Sequence, residues 1–226
     1  MTGKEIYDIL SARNVKSLYH ANSVKTSLSL IGLGGLASRE LVENSGNAQT
    51  NQITDAIDRE YGIWGDVFMD TVDIHNRISD RNKYGPVLFV LDVKLLAALP
   101  ASARVLVTRL NPSKWGTTRS DEERYFLNAS ELSNGIDIGN FDQMLVIRTA
   151  DKIVPFGSSL QAIVLDEPKL SGGCSQEYRD AETALNDAAS RKGINVVVSQ
   201  RKCAPCGCVS SYSAPATRIP WFFGSR

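Results

Sequence analysis

Short apolar runs, separated by polar stretches and by glycine and proline, set the pattern of this chain. Pro86-Val-Leu-Phe-Val-Leu91 is continuous and apolar, which predicts a central strand buried on both faces. Residues 15–20, 105–110, 143–149, 160–165 and 194–199 read as further strands. Residues 65–74 alternate in part, and the aromatic-rich segment 217–223 reads as a last strand. Helical spacing occurs over 3–13, where Ile6, Ile9 and Leu10 make one stripe, and over 23–30, with Val24 and Leu28. Residues 55–61 make a helical turn, and 92–99 a short helix stopped by Pro100. Residues 177–192 form a helix with Ser175 available as a cap and Gly193 just past its end. Ile31-Gly-Leu-Gly-Gly-Leu36 closes the second helix, and Ala37-Ser-Arg39 leaves that turn. Residues 43–54 are polar and rich in Asn and Gln, as in a surface segment or lid. No repeat or linker breaks the chain. The expected fold is α+β: one domain over 1–226, with a central mixed β-sheet and flanking helices.

Composition narrows the function more than the fold. The 226 residues carry 25 Lys+Arg against 25 Asp+Glu. A neutral chain is not a general polycation that coats phosphate, so any nucleic-acid binding must come from a local basic patch. The uncharged run 26–38 is interrupted by Gly32, Gly34 and Gly35, and no stretch approaches the roughly 20 apolar residues that span a bilayer. The N-terminal MTGKEIYDIL lacks a signal-peptide core. The expectation is a cytoplasmic protein with no membrane partner. Three of the four cysteines sit in Cys203-Ala-Pro-Cys206-Gly-Cys208, within a Cys-rich loop at 200–212, and Cys174 lies upstream. Free or redox-active thiols are the favoured reading; a four-thiolate zinc site is the alternative, at irregular spacing.

Candidate chemistry is sparse. Of the two histidines, His20 has the better position, beside Tyr19 at a strand end and just before the Gly-rich run. That run is not a phosphate loop, because no Lys-Ser/Thr follows it. It is not a dinucleotide fingerprint either, because it closes a helix rather than opening one. It reads as a permissive turn that lets a ligand approach. No serine lies in a nucleophile elbow. Asp66, Asp70, Asp73 and His75 are close in sequence, but alternation on a strand splits them between two faces, so no metal site is assigned.

The order of these features resembles the DarT-like ADP-ribosyltransferase toxins, which use NAD to modify bases of single-stranded nucleic acid. The resemblance runs over nearly the whole chain. It starts at Leu18-Tyr19-His20-Ala-Asn22 and Gly35-Leu36-Ala-Ser38-Arg39, and passes through Ile57-Asp-Arg59 and Asp66-Val67-Phe68-Met69-Asp70. It continues with the strand at 86–93, with Tyr125-Phe126-Leu127-Asn128 and Glu131-Leu132, and with Leu160-Gln161-Ala162-Ile163-Val164-Leu165. It ends at Ile219-Pro-Trp221-Phe222-Phe223 beside Arg218. It implies an ADP-ribosyltransferase-like domain with NAD gripped by Tyr19, His20, Asn22, Gly35, Leu36 and Arg39, and Arg59 set against the target base. It further implies a single-stranded nucleic-acid substrate, RNA slightly ahead of DNA, and an antitoxin partner. Tyr61, Trp64 and Trp115 are the expected base-stacking aromatics, and Lys114, Arg119 and Arg124 the basic stretch beside them.

One departure matters. Cleavage at the nicotinamide ribose passes through an oxocarbenium-like state and needs a positioned carboxylate. The family places Glu in a Gln-Ala-Glu pattern, where this chain reads Gln161-Ala162-Ile163. Three readings stand side by side. Asp166, Glu167 or Glu131 supplies the carboxylate; or Gln161 anchors a different site with Asp70; or the protein binds NAD or nucleic acid without transfer. The last of these is an inactive NAD- or RNA-binding module, and one further alternative is a metal-dependent nuclease built on Asp70, Asp73 and His75.

Overall fold

The computed structural model describes residues 1–73, 84–116, 119–168, 176–202 and 218–225. Its elements in chain order are α1 (Gly3–Ala12), β1 (Ser17–Asn22), α2 (Val24–Leu33), β2 (Gly35–Ala37), α3 (Arg39–Asn44), α4 (Asp55–Glu60), β3 (Val67–Met69) and β4 (Val87–Asp92). There follow β5 (Arg104–Val107), α5 (Asp121–Arg124), α6 (Ala129–Gly135), β6 (Leu145–Arg148), β7 (Ile153–Pro155), β8 (Leu160–Glu167), α7 (Gln176–Arg191), β9 (Val198–Lys202) and α8 (Arg218–Phe223).

The central sheet has the order β1-β4-β8-β9. Its first three strands are antiparallel, and β9 lies parallel to β8. A parallel neighbour needs a crossover, and α7 makes it. The expected mixed central sheet is therefore present, with the apolar 86–91 run at its centre. Two smaller antiparallel sheets flank it, β2-β7 and β3-β6-β5. A single bridge between Tyr19 and Asp70 joins β1 to the end of β3. The main core lies between the central sheet and α1, α2 and α7, and is built on Leu18, Phe89, Leu91, Ile163, Leu165 and Leu185. A second cluster of Ile63, Trp115, Tyr125 and Val146 sits against the three-stranded sheet.

Local chemistry explains the boundaries. Thr2 and Glu5 close a capping box on α1. Ser23 caps α2, and Gly34 ends it with a positive φ of 84°. The next residue, Gly35, starts β2 rather than a ligand-facing turn. A Cβ there would stand 2.5 Å from the carbonyl oxygen of Val154 on β7. Its close approach is to another strand.

Several expectations change. Residues 217–223 are not a strand: 218–223 form helix α8. Ile219, Phe222 and Phe223 are buried while Trp221 is 52% exposed, which is helical spacing, and Pro220 is tolerated in a first turn. The strand expected at 194–199 begins at Val198, where pairing with Ile163 begins; Val197 stays exposed, and Ile194 and Val196 pack on the core edge. Ser38, expected only to leave the turn, caps helix α3 directly after β2. Segment 45–54 is pinned, since Thr50 donates its N–H to Thr26 Oγ1 (2.9 Å), accepts from Ser23 Oγ (2.7 Å), and offers its carbonyl to Arg39 (3.0 Å). A segment held on three sides is a wall rather than a lid. His75 and all four cysteines lie outside the described residues.

Candidate functional site

A cleft opens where β1, the β3 segment, α3, α4 and the 45–54 wall converge. His20 and Asn22 enter it from one face of β1, since alternate residues of a strand share a face. The His20 ring is fixed at both nitrogens. Nδ1 lies 2.8 Å from the Phe68 carbonyl and therefore carries the proton it donates. Nε2 then accepts from Asn22 Nδ2 at 3.2 Å, and Asn22 Oδ1 accepts from the Ser23 N–H. Burial pushes the His20 pKa down against the pull of the Phe68 bond, so the ring is neutral at physiological pH.

Arg39 reaches the cleft from the first turn of α3. Its Nη2 donates to Asp55 Oδ2 (2.8 Å) and to the Thr50 carbonyl. Nε lies 2.8 Å from Asp55 Oδ1, close enough for an ion pair but not aligned as a hydrogen bond. Nη1 is buried with no hydrogen-bond partner among the described residues. The guanidinium packs over Trp64, whose other neighbour is Arg59, 3.8 Å from the ring centroid.

Three carboxylates line the same cleft: Asp58, Asp66 and Asp70. Asp66 is held by Arg148 in a two-pronged pair of 2.8 and 2.7 Å. The Asp70 backbone exchanges both hydrogen bonds with Tyr19. Asp58, 8% exposed, is different. Burial, with Asp55 three residues earlier on α4, pushes its carboxyl up to about 7, against the pull of Arg39 and a bond from Thr54.

The structure therefore gathers His20, Asn22, Arg39, Asp66 and Asp70 into one cleft, which Tyr19, Gly35, Leu36, Arg59, Gln161 and Asp166 do not line. Tyr19 faces away from His20 and contributes backbone pairing. Gly35 and Leu36 are buried in the β2-β7 pair. Arg59 is half-exposed and paired with Glu43 at 2.9 Å. Gln161 is exposed and accepts from Ser17 Oγ. Asp166 is buried in an ion pair with Arg201 (2.7 Å), which also binds Asp73. Glu131 is engaged by Arg109 at 2.6 Å. Asp73, expected on a strand, lies past the end of β3.

Ile163 is wholly buried. It stands in one cross-strand row with His20 and Phe89, and Phe156 stacks on Phe89 at 5.3 Å. That stack fills the sheet face between His20 and position 163, two strand spacings or roughly 10 Å away.

The aromatics expected to stack bases are occupied as well. Trp115 is 5% exposed, edge-on to Tyr125 and tilted against Tyr61. Lys114 pairs with Asp142, Arg119 with Glu123, and the Arg124 guanidinium lies over the Tyr61 and Trp115 rings. That stretch is an internally neutralised cluster. Asp58, the residue overlooked in the sequence, left one trace there: Asp55 and Asp58 are three apart on a helix and share a face.

The fold is α+β, a mixed four-stranded sheet with a cleft at the edge of its first strand. No protein-family profile matches the chain, and no curated protein matches it. Solved structures do. Thermus sp. 2.9 DarT in complex with ADP-ribosylated ssDNA aligns over 83% of this chain and 95% of its own, with a TM-score of 0.51 and 12% identity. The same protein in complex with NAD+ aligns over 83% and 96%, with a TM-score of 0.49 and 11% identity. The chain has a DarT-like fold. Among the described residues, no helix is long and apolar enough to cross a membrane.

Proposed function

We propose that this protein is an ADP-ribosyltransferase that uses NAD to modify a base of single-stranded nucleic acid. The observation that carries the reading is the cleft, in which His20, Asn22 and Arg39 converge at the places where the sequence resembles the NAD-gripping motifs of DarT-like enzymes. The fold supports it, since the Thermus protein that shares it was solved with ADP-ribosylated ssDNA.

The cleft suits an anionic dinucleotide. The buried Nη1 of Arg39 has no hydrogen-bond partner among the described residues, and a pyrophosphate oxygen would satisfy it. Asn22 keeps a second amide hydrogen for a ribose hydroxyl, and neutral His20 holds the Asn22 amide in place. NAD supplies a glycosidic bond to a good leaving group; the chain supplies binding, orientation and the exclusion of water.

Single-stranded DNA is the first acceptor to try, on the strength of that neighbour, with RNA as the second. We further propose that such an activity is held in check by a neutralising partner protein and is harmful when expressed alone. A second reading has one observation behind it. Ile163 leaves no carboxylate on β8 facing His20, as in a module that binds NAD without transferring from it.

Radiolabelled NAD incubated with separate pools of ssDNA, RNA, duplex DNA and protein decides between them. Transfer to a single-stranded pool that is lost in Asn22→Ala and Arg39→Ala is the expected result. Bound NAD with no transfer to any pool would establish the second reading. Absence of NAD binding would refute both, and chelator-sensitive cleavage of the oligonucleotide would point to a nuclease.

A further inference from the structure

Ile163 leaves the proposed reaction without a carboxylate on the strand where one was expected. None of the acidic alternatives lines the cleft: Asp166 is paired with Arg201, Glu131 on α6 with Arg109, and Glu167 stands at the far end of β8. The cleft carries its own carboxyls, however, and they differ in what holds them. Asp66 spends both oxygens on Arg148. Asp70 belongs to a β-bridge that fixes its backbone against Tyr19. Asp58 stands on α4, a short helix tied to α3 by the Arg39–Asp55 pair, and so is placed beside the guanidinium expected to meet the dinucleotide.

We propose that Asp58 is the catalytic base of this cleft, the group that receives the proton of the acceptor during transfer. The assignment rests on the transferase reading above. In the step, a nitrogen of the acceptor base forms a bond to the anomeric carbon of the nicotinamide-bearing ribose. The bond from that carbon to nicotinamide breaks, and its electron pair neutralises the nicotinamide nitrogen. The proton shed by the attacking nitrogen passes to the Asp58 carboxylate. No oxidant or further reactant is needed.

The setting of Asp58 suits this role. A base works best when its pKa lies near the working pH, and burial with Asp55 as neighbour lifts this carboxyl to about 7. The charged groups around it are Asp55 on its own helix, Arg39 on α3, and Asp66 and Asp70 flanking β3; His20 on β1 is held neutral. Moving the carboxylate from strand to helix also accounts for the apolar filling at Phe89, Phe156 and Ile163. With the proton acceptor on α4, that sheet face is free to pack as core.

The test compares wild type, Asp58→Asn and Asp58→Glu in single-turnover transfer from labelled NAD to an oligonucleotide, with NAD binding measured separately by calorimetry. Asp58→Asn is expected to bind NAD within about threefold of wild type and to transfer about 100-fold more slowly, in line with the loss of a general base. Wild type should gain rate as pH rises through about 7, and the variant should lose that limb. Asp58→Glu should recover part of the rate. If Asp58→Asn transfers at the wild-type rate, or if Asp70→Asn alone abolishes transfer, the Asp58 assignment is overturned and the transferase reading stands. If Asp58→Asn weakens NAD binding but keeps its rate at saturating NAD, Asp58 is a binding group and the assignment is again overturned. If wild type transfers to no pool, the transferase reading falls and this assignment with it.

Discussion

Replacing Asp58 by Asn should make the stability of this protein less dependent on pH, with a sign that can be worked from the structure. Asp58 is an acid whose folded-state pKa is raised from 3.8 to about 7, mainly by burial and then by Asp55. Below pH 3.8 the folded and unfolded chains both hold the proton, so the site costs nothing. Between 3.8 and about 7 the unfolded chain sheds its proton while the folded chain keeps it, and stability falls as pH rises. Above about 7 the folded carboxyl ionises too, and the loss levels off. A shift of roughly three units corresponds to a penalty on the order of 4 kcal/mol. This is an upper figure, because a cleft that admits solvent relieves part of the burial. Asn resembles the protonated acid in shape and can still accept from Thr54, so it removes the ionisation without opening a cavity. Urea unfolding of both proteins at pH 4, 5, 6, 7 and 8 should show stabilities that differ least at pH 4, separate up to about pH 7 and run nearly parallel above it, with Asp58→Asn the more stable at pH 8. Parallel pH profiles would mean that Asp58 is not buried as an acid, and would refute the reasoning.

Other perturbations test the frame of the cleft. Gly35→Ala drives a methyl to 2.5 Å from the Val154 carbonyl; separating β2 from β7 should cost about 1–3 kcal/mol, read as a lower thermal midpoint, and an unchanged midpoint would show that the pair gives way freely. Ile163→Glu places a carboxylate in a wholly buried site beside Phe89; it should destabilise by several kcal/mol and raise transfer not at all, so a gain in activity would restore β8 as the reactive strand. Arg148→Met leaves the buried Asp66 carboxylate without its partner; because Arg148 is partly solvated, the loss should fall toward the low end of the roughly 3–5 kcal/mol that a broken buried pair costs, and adding Asp66→Asn should recover most of it in a double-mutant cycle.

The parts of this fold that could be read in advance are those whose neighbours in sequence settle their environment. A continuous apolar run such as 86–91 has few stable places other than a buried strand, and it lies at the centre of the sheet. The long α7 shows its period over sixteen residues, and its buried face of Tyr178, Ala181, Leu185 and Ala189 follows. Short apolar runs do not carry enough turns to show a period. The segment ending at Phe223 therefore read as a strand, until packing against Tyr178 made it a helix. Trp115 reads as an exposed stacking residue when only the Pro and Gly around it are known; it is the centre of the second cluster because Tyr61 and Tyr125 come to it from other elements.

The same division runs through the cleft. Sequence alone determined the strand that bears His20 and the absence of a carboxylate at position 163. It also determined a neutral composition that leaves no general hold on phosphate. Only the tertiary structure decided which charges are spent and which remain. Arg59 and Asp166 are spent in pairs with Glu43 and Arg201, residues distant in sequence. Arg39 keeps its buried Nη1 without a hydrogen-bond partner among the described residues. Asp58, one more acidic residue on a short helix, becomes a buried acid that titrates near neutrality, because β1, the β3 segment and the 45–54 wall assemble around it. A charge's partner and its access to water are set by approaches through space, and a linear pattern of residues does not contain them.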